Sequence, residues 1–400
     1  MSHIFLLKEA YMQIASRMEA ITPFYVMELL ARAKQLEAQG HNIVHMEVGE
    51  PDFTTPQPII DAGVDYIKAG HVKYTPAAGL LELRQKIAAY YWQRYQVTVP
   101  IERIFITPGA TGALLLALGV SLNPGDEVLL SDPCYPCNQN FIHLFNAKVR
   151  HVPVYADTAY QLSADLLEQH WQADSKATLI ASPSNPTGTI ISVAELEKCI
   201  DFVNARQGLL FSDEIYHGLE YEPGVSCALE FSDQVFVINS FSKYFGMTGW
   251  RVGWLILPEA YTQAAEKLAQ NIFISTPSHS QYAALAAFEE ATLQELEVRR
   301  QDFAKKRDFL YQHLLRLGFH VPVKPAGAFY IYADCSKFTD DSQQFAQQLL
   351  ETEGLAVTPG KDFGYNESEK YLRFAYTGTM ENIAEGMLRL ERFTTHHTKG

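Results

Sequence analysis

The sequence predicts an α/β fold in which a large domain, with a mostly parallel central sheet between helices, is joined to a smaller α+β domain. The first observation is size, because 400 residues of which 47% are hydrophobic exceed what one core usually supports. The second is that short apolar runs alternate with helical segments from about Pro51 to Pro258. The third is that helical periodicity dominates after Pro258, with few further strands. This succession is typical of a parallel sheet followed by an α+β unit.

Each strand of the large domain is predicted from a short, nearly continuous apolar run, which a sheet covered on both faces requires. These runs lie at 103–107, 127–131, 178–182, 209–213 and 235–240. In the smaller domain we predict helices through 260–317, strands at 329–332 and 371–374, and a helical segment at 23–39. The predicted boundaries are 48–285 for the large domain, and 1–47 with 286–400 for the small one. We expect a ligand site in the cleft between them.

Charge and hydropathy argue against several kinds of partner. The formal net charge is -14, from 32 basic and 46 acidic residues, whereas nucleic acids and anionic membranes are bound by clustered Lys and Arg. No stretch is apolar and long enough to cross a bilayer, and Met1–Lys8 lacks the order of basic and apolar segments found in signal peptides. We therefore expect a cytoplasmic protein without nucleic-acid or membrane partners.

Five cysteines form an odd and sparse set, which favours a reducing compartment over a disulfide framework. Only Cys134 and Cys137 have the C-x-x-C spacing of a zinc or thiol-exchange site. No second pair of ligands follows at similar spacing. We interpret the two as ordinary thiols in a turn and predict no metal site.

Polar and glycine-rich segments follow the predicted strands, and ligands bind at the carboxyl ends of strands in an open α/β sheet. The segment 108–113 leads into a helix whose free N–H groups favour an anion. Asn185 lies in a proline-glycine turn after the third run. Asp213 ends the fourth run, where a buried carboxylate is costly unless it is well hydrogen-bonded or paired with a cation such as a protonated heterocyclic nitrogen.

The most informative segment runs from Ser240 to Trp254, at the end of the fifth predicted strand. Lys243 is flanked there by Ser240, Ser242 and Arg251. A surface lysine that only keeps its charge in water does not need such neighbours. The combination suits an imine-forming amine beside a phosphate clamp.

Together these motifs resemble the fold-type-I, class I/II aminotransferases of the aspartate aminotransferase superfamily. The resemblance extends from about residue 23 to 392 and rests on Ser-x-Ser-Lys followed by Gly-x-Arg-x-Gly, with Asn185–Gly188 and Asp213–Tyr216 in the expected order. It implies an enzyme that uses pyridoxal 5'-phosphate (PLP) and exchanges nitrogen between amino acids and 2-oxo acids in a ping-pong reaction.

The resemblance also implies roles for individual residues. Lys243 is expected to hold PLP as a Schiff base and to move the proton, while Asp213 pairs with the pyridine nitrogen. Tyr216 and Asn185 are expected to contact the 3'-oxygen of PLP, and we predict Lys243, Asp213 and Tyr216 as catalytic. The other predicted cofactor contacts are a stacking Tyr135 and the phosphate ligands Ala110, Thr111, Gly112, Ser240, Ser242 and Arg251.

Two further implications concern the substrate and the oligomer. Arg373 matches the family arginine that binds the substrate α-carboxylate, with Gly49 and Asn185 near it. Tyr74 matches a tyrosine that reaches the phosphate of the neighbouring subunit, which implies a homodimer with shared active sites.

The donor and two alternative functions are left open. Aspartate-specific relatives often carry a lysine where this chain has Thr111, so neutral or aromatic donors are as plausible as aspartate, and the aromatic stretch 23–25 could line their pocket. A PLP-dependent C–S lyase that eliminates at Cβ would have the same cofactor residues. A PLP-binding regulatory domain would require a DNA-binding module ahead of Pro23, where we expect none.

Overall fold

The computed structural model describes residues 14–23 and 25–396, so the predictions made on Met1–Lys8 and Phe24 lie outside the described residues. The helices are α1 (Tyr25–Ala38), α2 (Gln57–Lys68), α3 (Leu81–Tyr95), α4 (Gly109–Ser121), α5 (Cys137–Leu144), α6 (Ala164–His170), α7 (Val193–Ala205), α8 (Thr262–Ile272), α9 (Ser278–Leu285), α10 (Glu290–Leu317), α11 (Ser342–Glu353) and α12 (Met380–His396). The strands are β1 (Val44–His45), β2 (Ile104–Thr107), β3 (Glu127–Asp132), β4 (Lys148–Pro153), β5 (Ser175–Ala181), β6 (Leu209–Asp213), β7 (Phe236–Ser240), β8 (Gly253–Ile256), β9 (Tyr330–Asp334), β10 (Leu355–Ala356), β11 (Thr358–Pro359) and β12 (Tyr371–Ala375).

The large lobe is built on a seven-stranded sheet in the order β2-β8-β7-β6-β5-β3-β4. The five strands β3 to β7 are all parallel to one another. Strand β8 is antiparallel to both of its neighbours, β7 and β2. This sheet confirms the predicted α/β class and all five predicted strands. The sequence prediction missed β4, whose apolar run is interrupted by basic residues, and β8, which begins at the last glycine of the Gly-x-Arg-x-Gly segment.

The sheet is covered on both faces, as its continuous apolar strands require. Leu129 and Leu210 lie in the core on one face, whereas their chain neighbours Leu130 and Phe211 lie in the core on the other. Successive side chains of a strand point to opposite faces, so each strand supplies both cores.

The smaller lobe contains an antiparallel sheet in the order β11-β12-β9 and the parallel pair β1-β10. Its core includes Phe329, Ile331, Phe374 and Phe393. The strands predicted at 329–332 and 371–374 are confirmed as β9 and β12, and the segment predicted at 23–39 is α1. The predicted helical region 260–317 consists of three helices, α8, α9 and α10.

The topology brings the polar strand ends to one edge of the large sheet. Because β2 and β7 are both antiparallel to β8, β2 runs in the same direction as β7 and its carboxyl end reaches the same edge. The turn into α4, the Asn185 turn after β5, Asp213 in β6 and Lys243 after β7 therefore meet there. In the part of the chain that the structure describes, no helix combines the length and apolar character needed to cross a membrane.

Candidate active site

A cavity of about 250 Å³ lies at this edge, between the large sheet and the smaller lobe. Its size is near the lower end of pockets that hold small ligands, roughly 300–1,000 Å³. The lining brings together most of the predicted site residues: Gly49, Ala110, Thr111, Tyr135, Asn185, Asp213, Tyr216, Ser242, Lys243, Arg251 and Arg373. Residues far apart in the sequence are thus assembled around one space.

Lys243 extends into this cavity from the loop that follows β7. Its Nζ donates a hydrogen bond to the backbone carbonyl of Gly49 at 2.9 Å. Burial lowers the pKa of the Lys243 amine to about 8; Glu50 opposes this change, and the positive charges of Arg373 and Arg251 reinforce it. A lysine with a lowered pKa has more of the neutral, nucleophilic amine near pH 7 than an exposed lysine has.

Asp213 ends β6 with its carboxyl group buried beside this lysine. Its Oδ1 accepts a hydrogen bond from the backbone N–H of Ile215 at 3.2 Å. Burial raises the pKa of Asp213 to about 7, and the nearby Lys243 opposes part of that shift. Among the described residues no cationic side chain lies within 4.0 Å of this carboxyl group. A ligand that brings a protonated nitrogen to this place would satisfy it.

Arg373, on β12, is buried between the rings of Tyr330 and Phe363, 4.4 and 4.7 Å from its guanidinium carbon. Its Nη1 donates to Asn185 Oδ1 at 2.8 Å, and its Nη2 donates to the carbonyl oxygen of Glu47. Within the described ranges Arg373 has no carboxylate partner. A buried guanidinium held in this way is prepared for an external carboxylate, which it can bind as a bidentate fork.

Asn185 and Tyr216 occupy the wall between Arg373 and Asp213. The amide oxygen of Asn185 is used by Arg373, which leaves its amide nitrogen for a ligand. The hydroxyl of Tyr216 lies 2.9 Å from that of Tyr330. The structure therefore places both predicted residues on the cavity, and their contact with a 3'-oxygen stays a prediction.

The predicted phosphate site is a recess at the start of α4. Ala110 and Thr111 lie in the first turn of this helix, where N–H groups are free. Gly109 has φ +68°, and a Cβ on it would lie 2.7 Å from Nη2 of Arg251. Only glycine therefore allows the guanidinium to come this close to the helix N-terminus. Ser242 completes the recess on its other side.

Three predicted residues do not line the cavity. Ser240 lies behind Ser242, with 2.9 Å between the two hydroxyl oxygens. Gly112 is inside α4, where a Cβ would lie 2.6 Å from Pro108, so this glycine serves packing. Tyr74 is 80% exposed and lies outside the cavity of its own chain. Its predicted role concerns a second subunit.

Tyr135 lies between the two cysteines of the C-x-x-C segment. None of the five cysteines, which all lie among the described residues, forms a disulfide, and the Cys137 thiol is hydrogen-bonded to the Tyr135 hydroxyl. Burial raises the pKa of both Cys134 and Cys137. Thiols that resist ionisation are poor nucleophiles and metal ligands, which supports the interpretation of the pair as ordinary thiols.

Tyr330 is the most important residue that sequence reasoning missed. It contacts Arg373 and Tyr216, and its hydroxyl would lie 1.8 Å from a Cβ placed on Gly49. In the sequence, Tyr330 is recognisable only as part of the strand predicted at 329–332, and no motif indicates a role at the site. The remaining unpredicted lining is largely apolar and includes Val26, Met27, Leu114, Phe141 and Ile215.

These features fit PLP. The cavity offers an amine of lowered pKa, a buried carboxyl group without a cation, and an anion recess at a helix N-terminus. A molecule with an aldehyde, a basic ring nitrogen and a phosphate matches the three in turn. Arg373 remains available for the carboxylate of a second molecule.

Comparison with known proteins agrees with this assignment. The model of the family "Aminotransferase class I and II" matches residues 41–390. A (5-formylfuran-3-yl)methyl phosphate transaminase of Methanocaldococcus jannaschii is 38% identical over 95% of this chain and 99% of that protein. A valine–pyruvate aminotransferase of Mycobacterium tuberculosis is 36% identical over 92% of this chain and 96% of that protein. The crystal structure of an aminotransferase from Mycobacterium tuberculosis superposes with a TM-score of 0.93, at 34% identity over 96% of this chain and 100% of that one. The chain therefore belongs to the class I and II aminotransferases, and it is a PLP-dependent enzyme that transfers amino groups.

Proposed function

We propose that this aminotransferase moves the amino group of a donor with an uncharged, mainly apolar side chain to a 2-oxo acid, with Lys243 as the residue that binds PLP and carries the proton. The observation that carries the proposal is the position of the Lys243 amine. It lies in one cavity with Asp213 and Arg373, neither of which has an ion-pair partner among the described residues, and its pKa is lowered to about 8.

PLP, when bound, supplies an electron sink that stabilises negative charge on the carbon next to the donor nitrogen. Lys243 is the base placed to move the proton of that carbon. Burial and the neighbouring arginines keep a substantial fraction of its amine neutral near pH 8. A base is most effective when its pKa lies near the working pH.

Asp213 and Arg373 provide orientation. The buried carboxylate of Asp213 would hold a ring nitrogen in its protonated form, since an unpaired charge there is costly. Arg373 would bind the donor carboxylate, and its stacking between Tyr330 and Phe363 fixes the plane of the fork. Together they would fix the donor relative to Lys243.

The lining supports a donor with an uncharged side chain. Within the described residues, Lys243, Arg251 and Arg373 are the only lysines and arginines of the cavity, and each already has a proposed partner. The side-chain carboxylate of aspartate or glutamate would lack a cation in this subunit. Apolar residues such as Val26, Leu114 and Phe141 offer contacts to an aliphatic or aromatic side chain instead. The name of the Mycobacterium tuberculosis relative, which specifies valine and pyruvate, is compatible with this class.

We also propose a homodimer that works in the cytoplasm. Tyr74 is strongly exposed, and so are the apolar side chains of Ile67 and Val72, which are near it in the sequence. Arg251 is exposed on the open side of the phosphate recess, so Tyr74 of a second copy could close it. The five described cysteines form no disulfide, which supports a reducing compartment.

The test is a steady-state assay of the PLP-loaded enzyme with single amino acids and 2-oxoglutarate or pyruvate as acceptor. Valine, leucine, phenylalanine, alanine and aspartate are compared, and both products are measured. We expect kcat/KM for the best apolar donor to exceed that for aspartate. A preference for aspartate would contradict the proposed donor class. Release of pyruvate and ammonia from cystathionine, without transamination, would show a lyase instead.

A further inference from the structure

The first turn of α1 forms part of the cavity wall, and a carboxylate from a distant part of the chain holds it there. Val26 and Met27, both in this turn, line the cavity. Asp362 accepts hydrogen bonds from the backbone N–H of Tyr25 at 2.9 Å and of Val26 at 3.3 Å. Asp362 lies in the loop after β11 and is followed directly by Phe363.

This carboxylate supplies hydrogen-bond acceptors that the two residues before α1 cannot supply. The first N–H groups of a helix have no acceptor inside the helix. Helices α6 and α7 solve this locally, since the hydroxyls of Ser163 and Ser192 accept from N–H groups of their first turns. Pro23 and Phe24, which precede α1, have no side-chain oxygen. Asp362 supplies the acceptor instead, and its negative charge is also favourable at a helix N-terminus.

The loop that caps α1 also contacts the residue proposed to bind the donor carboxylate. Asp362 is buried, and Arg373 is close enough to lower its pKa against the larger effect of burial. The ring of Phe363 lies under the guanidinium of Arg373. Asp362 thus supports the turn of α1 that would face the donor side chain, and Phe363 supports the arginine that would bind the donor carboxylate.

The later turns of α1 are anchored differently. Leu29, Ala33 and Leu36 pack against Leu350 of α11 and Ala356 of β10. Loss of the cap at Asp362 would therefore loosen the first turn while the remainder of α1 stays packed. The consequence would be local to the wall formed by Val26 and Met27.

We propose that Asp362 is a positioning residue for donor recognition, which holds Val26 and Met27 against the donor side chain by capping α1. This inference rests on the function proposed above, because it requires a donor whose side chain extends to α1. Asp362 does not contact the reacting atoms, and its effect on binding depends on donor length. The side chain of alanine is too short to depend on this wall, whereas leucine and phenylalanine are long enough.

The experiment compares the PLP-loaded wild type with Asp362→Ala, Asp362→Asn and Ser192→Ala. Asparagine keeps one acceptor oxygen and can accept from only one of the two N–H groups, and Ser192→Ala removes the cap of α7, which is not part of the cavity. Asp362→Ala is expected to raise KM for leucine and phenylalanine about fivefold, with KM for alanine and all kcat values within about twofold. Asp362→Asn should raise the KM values for leucine and phenylalanine by less than Asp362→Ala does, and Ser192→Ala should keep wild-type KM values.

Hydrogen–deuterium exchange of residues 25–30 provides a readout that needs no donor. Exchange of this segment should be fastest in Asp362→Ala and intermediate between Asp362→Ala and the wild type in Asp362→Asn. Equal KM changes for alanine and leucine, or unchanged exchange in Asp362→Ala, would overturn the inference. If the wild type transaminates no amino acid with an apolar side chain, the proposed function is wrong. The exchange data then still show whether Asp362 stabilises the first turn of α1. Asp362→Ser, whose shorter side chain cannot span both N–H groups, replaces the alanine variant if that one does not fold.

Discussion

At the scale of single residues, the site contains two buried groups of opposite charge without an ion-pair partner among the described residues. Asp213 and Arg373 are both buried, and each faces the same cavity. Burial of an unpaired charge costs free energy in the ligand-free protein. Binding of the cofactor and the substrate would offset that cost. Removal of a buried charge should therefore stabilise the ligand-free protein and weaken ligand binding.

Asp213→Asn should stabilise the PLP-free protein at pH 8 and weaken its affinity for PLP. The pKa of Asp213 is raised to about 7 in the folded chain, so the folded state loses stability relative to the unfolded state as pH rises from about 4 to about 7. Asparagine does not ionise, and we expect the free energy of unfolding to rise by about 1–3 kcal/mol at pH 8 and to change little near pH 4. PLP affinity should fall by about 100-fold.

Denaturant unfolding at both pH values and PLP titration check this prediction. Equal stability of the two proteins at pH 8 would show that the Asp213 carboxylate is already compensated. Unchanged PLP affinity would mean that another group faces the ring nitrogen.

Arg373→Lys should raise KM for every amino acid donor by about 100-fold, and Arg373→Ala should raise it at least as much. A lysine keeps the charge but loses the planar fork and the stacking between Tyr330 and Phe363. Steady-state kinetics with several donors measure the effect. An increase restricted to one class of side chain would place Arg373 in the side-chain pocket instead.

Individual site residues were predictable where a local motif marks them. Lys243, Asp213 and Asn185 lie at or just beyond the end of an apolar strand, Arg251 lies in the motif between β7 and β8, and the structure gathers all four around one cavity. Tyr330 has no such mark, because its importance arises from contacts with residues that are distant in the sequence. The same applies to Asp362, whose two hydrogen bonds to α1 join positions that are 337 and 336 residues apart.

At the scale of elements, apolar runs predicted five strands of the large sheet, but missed the buried strand β8, the edge strand β4 and the three shortest strands. The strand β4 carries Lys148, Arg150 and His151 on the sheet edge, where one side has no neighbouring strand. The strands β1, β10 and β11 contain two residues each, which is too short for any periodicity. Their existence depends on the folding of the whole small lobe.

Gly109→Ala should weaken PLP binding by about tenfold or more, because it strains a left-handed backbone position and pushes Arg251 away from the start of α4. Gly125→Ala is the matched control. Gly125 has φ +92°, and a Cβ placed on it would have no described atom within 4 Å, so this variant tests backbone strain without a contact at the site. Equilibrium titration with PLP gives both affinities. Equal losses in the two variants would argue against a phosphate recess at Gly109.

At the scale of the whole molecule, the proposed boundaries remain 48–285 for the large domain and 1–47 with 286–400 for the small one. The separate cores on the large sheet and in the smaller lobe support two units. The helix α10 connects them, since Leu296 lies in the core beside the large sheet and Leu310 in that of the smaller lobe. A boundary near its start is compatible with this arrangement.

The proposed shared active site predicts complementation between two defective subunits. Lys243→Ala and Tyr74→Ala homodimers should each have little activity. After mixing and subunit exchange, the hybrid has one site with both native side chains, and we expect up to about a quarter of wild-type activity. Light scattering establishes the oligomeric state in parallel. A monomer, or a mixture no more active than its components, would contradict the shared site.

The central claim, that Lys243 holds PLP and exchanges nitrogen with amino acids, is tested most directly by absorption spectroscopy of the PLP-loaded protein. We expect a visible band that is lost when an amino acid donor is added without acceptor and returns when a 2-oxo acid follows. Lys243→Ala should lack this cycle even if it retains some PLP. A wild-type protein without the band, or a Lys243→Ala variant that completes the cycle at the wild-type rate, would contradict the claim.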